Sequence, residues 1–554
     1  MYFTSTPILI MKKIFLFLCI IVSTLNANSQ NLTSSNLPIL IINTKGQTIL
    51  DEPKIQAEMK IINNGAGKEN LINGTPTDYN GLIGIELRGS SSQMWPKKPY
   101  GFELQDVKGN SVDASIFGFP KESDFTLFAS YNERSLMHSV LSFKLAREIF
   151  SYASRIQYVE LILNDTYQGV YVVMEKVKRG SGRVNIAKLT DKDIAGDALT
   201  GGYIIKIDKQ TGNNEGGWTS KISNNSSGNK SYYQYHYPKA ITSEQRNYIH
   251  AYVDSVEASI QSANFADKQN GYRKYINTSS YAKMMVLNEV TKNVDAYRIS
   301  SFFYKEKDSK GGKLFCGPPW DYDFTFGMPD YCDAWTVTDF VYKNFNTVCS
   351  TDYWQVPFFW TKLMQDKAFS EEVRTEYTYQ RIKGTLQTDK IRAKVDSMKT
   401  ELKDAQARNF MKWQVLGKYD WPTKTYPSTW EGEVAEIMPW IEGRLRWIDS
   451  QWLDPNLIGI TTATENVEKD LNLIVYPNPF VERITAEMYS PIAQNAKLAI
   501  YNAQGIELYH KDIRLEIGLN YIELCPENYQ NTSQISYFKL ETAEKSIVKK
   551  IVKN

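Results

Sequence analysis

The chain has 554 residues, 42% of them hydrophobic and 13% aromatic, with a formal net charge of +2. That length suits two or three domains with a large buried core, and the near-neutral balance argues against bulk nucleic-acid or membrane-surface binding. Four histidines and the absence of zinc-like cysteine spacing argue against an imidazole- or thiolate-based metal centre.

At the start, Met11-Lys12-Lys13 is a charged region followed by an apolar run from Ile14 to Leu25 and by Ala27-Asn28-Ser29. This reads as a signal peptide over 1–29, with Met11 the natural start and Gln30 the first mature residue. No other stretch is long and apolar enough for a membrane span, so the mature chain is expected outside the inner membrane without a transmembrane segment. Four cysteines then remain, Cys316, Cys332, Cys349 and Cys525. An oxidising compartment permits disulfides. Cys332 and Cys349 are the preferred pair, closing a short loop, with Cys316 a competitor for either.

Strands are expected over Leu37 to Asn43, Lys54 to Asn63, Leu82 to Arg88 and Tyr100 to Leu104, from their β-branched and alternating residues. Between the last two lies Arg88-Gly89-Ser90-Ser91-Ser92-Gln93-Met94-Trp95-Pro96-Lys97-Lys98. Such a small-residue loop with cations at both ends can cradle phosphate through N–H and hydroxyl donors, although a solvated hairpin tip is the commoner role. It is neither a Walker loop nor the glycine loop of ordinary kinases. An amphipathic helix is expected over Arg134 to Ile149, with Leu136, Val140, Leu141, Leu145 and Ile149 on one stripe. Val159 to Leu163 and Gly169 to Met174 form a hairpin about Asn164-Asp165. The second strand ends at Glu175, followed by Lys176 and Lys178. Glu175 is either a strand-end surface acid or the partner of a phosphate-binding lysine.

Gly201 to Ile207 is a further strand, after which the pattern turns helical. Thr242-Ser243-Glu244-Gln245 offers a capping box for a helix carrying Ile249, Val253, Val256 and Ile260. A helix over Tyr281 to Val294 delivers Asp295 at its C-terminal end, where the helix dipole opposes a carboxylate. Ile299 to Lys305 and Lys313 to Cys316 pair as a hairpin around Lys307 to Gly312. With its centre near Asp308, that hairpin sets Asp295 beside Asp321, and Asp323 shares the side of Asp321. Clustered carboxylates need relief from a cation or a shared proton. The residue types leave open a hard divalent metal, a carboxylate acid/base pair, or ordinary surface capping acids. The rigid Pro318-Pro319-Trp320-Asp321-Tyr322-Asp323 cluster favours a site. Further helices are expected over Phe358 to Tyr379, Lys390 to Phe410 and Gly432 to Trp452. A polar linker covers 456–470, and turn-punctuated short strands from Leu471 to Asn554 form a small all-β sandwich.

Taken together, several ordered blocks resemble the CotH-type family of atypical kinases. They are Glu86-Leu87-Arg88-Gly89-Ser90-Ser91-Ser92 with Pro96-Lys97-Lys98, then Asn164 with Tyr167-Gln168-Gly169-Val170-Tyr171 and Glu175. Gly201-Gly202-Tyr203, Asn293-Val294-Asp295 and Pro319-Trp320-Asp321-Tyr322-Asp323 with Phe326-Gly327 follow. The resemblance covers roughly 37–452. It implies an α+β, kinase-like fold over 30–455, with a β-rich N-terminal lobe and a helical C-terminal lobe. It also implies use of ATP and Mg2+ (Mn2+ as an alternative) and phosphoryl transfer to Ser or Thr of a protein. By the family pattern Asp295 orients the substrate hydroxyl, Asp321 holds the metal and Asp323 supplements it. Arg88, Ser90, Ser91 and Lys97 or Lys98 contact phosphate, and Glu175 partners that lysine. The chain departs from the pattern at Ser300, where ordinary kinases place a metal-binding Asn, and at Glu133-Arg134 and His138-Ser139. An inactive surface scaffold that binds glycan or protein is therefore the alternative, and a glycoside hydrolase using Asp295 and Asp321 ranks below it. Val475-Tyr476-Pro477-Asn478-Pro479-Phe480, Gly518-Leu519-Asn520 and the closing Ile547 to Lys553 resemble the sorting domain of type IX secretion cargo. That resemblance implies export to the cell surface and contact with the type IX machinery over 471–554.

Overall fold

The computed structural model describes residues 32–210, 216–453, 473–476, 478, 480, 484–490, 492–516, 518–524, 535–543 and 545–553. The expected signal segment, the polar linker and Cys525 lie outside the described residues.

The expected N-terminal strands form as β1 (Ile39–Asn43), β2 (Ile55–Ile62), β3 (Tyr79–Leu87) and β4 (Tyr100–Gln105), joined by β5 (Asp124–Phe128). After α1 (His138–Ile149) come β6 (Ile156–Leu163) and β7 (Thr166–Glu175). Asn164 and Asp165 both take positive φ, 49° and 59°, as a two-residue hairpin of matching twist requires. The seven strands close a barrel in the order β1-β2-β3-β4-β5-β7-β6. All neighbours are antiparallel except β1 and β6, whose parallel ladder, with Ile39 opposite Glu160, closes the ring.

Alternation fills the barrel with side chains rather than leaving a channel. Ala57, Met59 and Ile61 of β2 and Tyr171 and Val173 of β7 point into one cluster with Ile83, Ile85, Phe102 and Phe125. The other face of β7, with Val170, Val172 and Met174, belongs to the main core shared with α1. Being covered on both faces makes β7 a nearly continuous apolar run.

The second layer is an antiparallel sheet of β8 (Tyr203–Ile207), β9 (Gly217–Ser223), β10 (Lys230–Tyr237), β11 (Ser301–Lys305) and β12 (Leu314–Cys316), ordered β9-β10-β8-β11-β12. Two α-helices lie between β10 and β11. In α2 (Ser243–Gln261) the expected capping box forms between Thr242 and Gln245. In α3 (Thr278–Thr291) every residue from Ser280 onward is buried, Lys283, Asn288 and Glu289 included. After β12 come α4 (Val341–Val348), α5 (Phe358–Leu363), α6 (Lys367–Ile382), α7 (Thr388–Leu402), α8 (Ala405–Lys412) and α9 (Trp430–Trp452). Two long helices expected from sequence are thus each split in two. In the first, the Asp366 carboxylate accepts from the Ala368 N–H and starts a new helix.

The buried pair Glu289–Arg444, 3.1 Å apart, joins α3 to α9. Glu289 also accepts from the Val341 and Tyr342 N–H groups and from the Tyr297 hydroxyl, at 2.9 to 3.0 Å. Strands β13 (Leu473–Tyr476), β14 (Ile484–Ser490), β15 (Gln494–Asn502), β16 (Glu507–Leu515), β17 (Gly518–Leu524), β18 (Ile535–Thr542) and β19 (Ser546–Val552) build a three-stranded and a four-stranded sheet. They enclose a separate core around Leu498, Ile500, Phe538 and Leu540. The fold is mixed α+β, and its N-terminal β-rich part is a closed barrel.

Candidate functional site

Two expectations about the acids need correcting. Helix α3 ends at Thr291, and Lys292 caps it in the left-handed conformation with φ 44°, so Asp295 lies in the following turn rather than at the helix terminus. The β11–β12 ladder pairs Phe303 with Cys316 and Lys305 with Leu314. Continued, that register faces Asp295 with Phe324 rather than with Asp321. The carboxylates nevertheless come within range of one another's charge, because the two loops beyond the hairpin are laced together. Val294 N–H donates to the Phe324 carbonyl at 3.3 Å, and the Asn293 amide donates to the Asp321 carbonyl at 2.8 Å. Asn293 Oδ1 in turn accepts from the Asp295 N–H at 3.0 Å. One asparagine therefore fixes both acid-bearing loops.

The backbone here is unusual. Tyr297, Ser300 and Asp321 have φ of 72°, 49° and 66°, a region that costs non-glycine residues of the order of 1–3 kcal/mol each and clusters at functional sites. In exchange, Ser300 donates its hydroxyl to Asp321 Oδ2 at 3.0 Å and its N–H to Asp208 Oδ1 at 3.4 Å. Asp208 follows β8 and is paired to Lys206 at 3.0 Å. Asp295 is ion-paired to the buried Arg298. Burial, then the charge on Asp295, pushes the Asp321 carboxyl up to about 6, and the Ser300 hydroxyl partly offsets this. Asp323 is raised well above the usual range by burial and by Asp321 and Asp295. The charges of Asp295, Asp321 and Asp323 thus act on one another, through the lacing of the loops and not through the expected register. The sequence reading misses Asp208 and Arg298. Asp208-Lys209 directly after a strand and an arginine three residues after Asp295 are the available signals.

Of the expected phosphate contacts, Arg88 is nearest. Its guanidinium lies 5.3 Å over the Trp320 ring and interacts with Asp321 and Asp208, while burial lowers its pKa. Beside it Lys176 is pushed down to about 8 by burial and by the positive charge of Arg88. Ser90 and Ser91 are exposed on a short 3-10 turn, Ser91–Met94. Gly89, at φ 92°, permits that turn, since a Cβ there would meet Ser92 Oγ at 1.9 Å.

The two lysines sit differently. Lys98 Nζ donates to the Gln93 carbonyl at 2.6 Å. Lys97 is 1% exposed and donates to Ser130 O, Val170 O and Asn409 Oδ1 at 3.1, 2.6 and 2.9 Å. All three ammonium protons of Lys97 are spent inside the protein. Glu175 pairs with Arg155 at 2.9 Å and with Arg183 at 3.8 Å, so the expected lysine partner is corrected to two arginines. Lys176, next to Glu175, is the cation that instead neighbours Arg88.

The donors on offer are all hard oxygens, from Asp321, Asp323, Asp208 and Ser300. Among the described residues no three His, Cys, Asp or Glu side chains converge to enclose a metal. Mg2+ characteristically keeps several waters and binds through one or two carboxylates plus substrate phosphate, so this donor set suits it. Cys332 and Cys349 are disulfide-bonded with Cα atoms 5.4 Å apart, as their spacing suggested, and Cys316 is buried and free.

The profile of the family described as CotH kinase protein matches residues 85–448. The match opens within β3, takes in most of the barrel and every acid just described, and closes near the end of α9. No curated protein matches the chain.

Proposed function

The chain belongs to the CotH kinase family, and from that premise we propose that it transfers the γ-phosphoryl group of ATP to a Ser or Thr hydroxyl of a protein. The observation that carries this reading is the gathering of Asp295, Asp321 and Asp323 with Arg88 in range of Asp321. Phosphoryl transfer asks mainly for positioning and for compensation of negative charge. Asp321 and Asp323 would hold Mg2+, with Ser300 orienting Asp321 through its hydroxyl. The bound cation would screen the phosphate oxygens and the developing charge. Asp295, fixed by Asn293 and Arg298, would accept the hydrogen bond of the incoming hydroxyl and aim its oxygen at the γ-phosphorus. Arg88 and Lys209 would supply the positive charge near Asp321, the role expected of the lysines of the loop.

We further propose a cell-surface location, which rests on the expected leader and on the resemblance of the C-terminal unit to a sorting domain. The disulfide accords with an oxidising compartment, and no described helix is long and apolar enough to cross a membrane. The unit over 471–554, with its own core, would act as the type IX sorting domain and the unit over 30–455 as the kinase.

The test is transfer of labelled phosphate from Mg-ATP to casein and to the chain itself, with calorimetry of nucleotide binding alongside. Asp295→Asn should keep nucleotide binding and lose transfer, and Asp321→Asn should lose both. Binding without transfer in the wild type would favour an inactive scaffold.

A further inference from the structure

Arg298 is 4% exposed and makes contacts on every side. Nε donates to the Val294 carbonyl at 3.0 Å, one terminal nitrogen meets Asp295, and the other donates to Asp352 Oδ2 and to the Trp354 carbonyl, both at 3.3 Å. Its plane lies 4.4 Å over the Phe345 ring of α4. Two of these acceptors thus come from a single short turn, 349–354. That turn is a surface excursion, with Tyr353 68% exposed. It is organised from its first residue: Cys349 O accepts from the Asp352 N–H at 3.0 Å and from the Gln355 amide at 2.9 Å. Trp354 N–H donates to Asp352 Oδ1 at 2.8 Å. Cys349 is the residue tied to Cys332, which follows Tyr331, and the Tyr331 ring stacks on Trp421 at 5.8 Å. A buried guanidinium with two of its four acceptors on an exposed turn is held on that side only while the turn is held.

We infer that Asp352 and the Cys332–Cys349 disulfide form a positioning device for Asp295, the disulfide fixing the turn, the turn fixing Arg298, and Arg298 fixing the carboxylate. Asp352 and Arg298 are positioning residues and touch no substrate. A dithiol opens the device by exchange. Its thiolate attacks one sulfur, its second thiol resolves the mixed disulfide, and Cys332 and Cys349 end as thiols while the reagent closes to its own cyclic disulfide.

The inference rests on the phosphotransferase reading for its kinetic consequence alone, so the experiment has two readouts on the full chain. Hydrogen exchange compares the oxidised protein with protein reduced by dithiothreitol, the opened bond being confirmed by thiol counting. Amides of 295–300 should lose protection together with those of 349–354. In the kinetic arm, reduction or Asp352→Asn should lower kcat by roughly 100-fold, the cost of a misplaced reacting group, with Mg-ATP affinity unchanged. Asp352→Glu should restore part of the loss. The Cys332→Ser, Cys349→Ser double variant should be slow and insensitive to dithiol. Unchanged exchange over 295–300 with the disulfide open would overturn the inference. So would kcat and nucleotide affinity falling in parallel with the melting temperature, the mark of general loosening. Absence of both nucleotide binding and transfer in the wild type would instead sink the phosphotransferase reading, and the exchange data would still decide the positioning role.

Discussion

Asp321 is a carboxyl that the folded protein prefers to keep protonated. Its pKa of about 6 lies above the ordinary 3.8 because burial and Asp295 penalise the charged form. A raised carboxyl adds stability at low pH that is lost as pH rises from about 4 through about 6, because the folded state binds its proton more tightly. The metal-free protein should therefore melt at a lower temperature at pH 7.5 than at pH 5. Asp321→Asn should recover up to about 3 kcal/mol at pH 7.5, measurable by urea unfolding. A divalent cation requires the deprotonated form. Mn2+ affinity, followed by electron paramagnetic resonance, should accordingly weaken as pH falls through about 6. A pH-independent affinity would contradict the assignment of Asp321 as a ligand. Lys97 gives the complementary prediction. Burial pushes it down to about 7, and its three acceptors are internal. Lys97→Ala should cost stability by about 2–4 kcal/mol rather than act through lost phosphate contact. A variant of wild-type stability with selectively lost ATP affinity would reverse that conclusion.

At the level of elements, legibility followed the kind of force involved. Strand positions, the hairpin about Asn164-Asp165 and the capping box of α2 are local, and periodicity and turn chemistry expose them. The blocks around Asp295 and Asp321 could be seen to belong together, but the geometry joining them could not. Their meeting depends on the Asn293 side chain and on the left-handed turns at Lys292 and Ser300, where tertiary contacts override propensity. The breaks within the two long helical patterns were likewise invisible to apolar spacing, since a capping carboxylate at Asp366 interrupts no stripe. The Glu289–Arg444 pair is the element-scale support of the site, because it ties α3 to α9 and reaches the turn through Tyr297. Burial raises Glu289 and lowers Arg444 to about 10. Removing one partner leaves an uncompensated buried charge, so Glu289→Gln should cost about 3–5 kcal/mol. Replacing both by apolar residues should recover much of that loss. A double-mutant cycle in urea reads both.

Across the whole molecule, the α+β class followed from the family resemblance, while the C-terminal strands were expected from their turn spacing. Closure of the barrel was not, since the β1–β6 ladder joins segments far apart in sequence and leaves no local mark. Lys97 shows the functional consequence. A lysine in a Ser-rich loop looks like a phosphate ligand until the barrel is built, and then its ammonium lies over the Tyr171 ring at 4.9 Å. Of that loop's cations it is Arg88, at its start, whose charge reaches Asp321, and Lys209 beyond β8 acts on the same carboxylate.

The central claim is that three acids and a nearby arginine make a phosphoryl-transfer site in a CotH-type fold. Its most direct measurement is single-turnover transfer from Mg-ATP, paired with nucleotide calorimetry, in the wild type and in Asp295→Asn. The account predicts transfer in the wild type, and in the variant undiminished binding with transfer lost. Transfer that survives Asp295→Asn at the wild-type rate would contradict it.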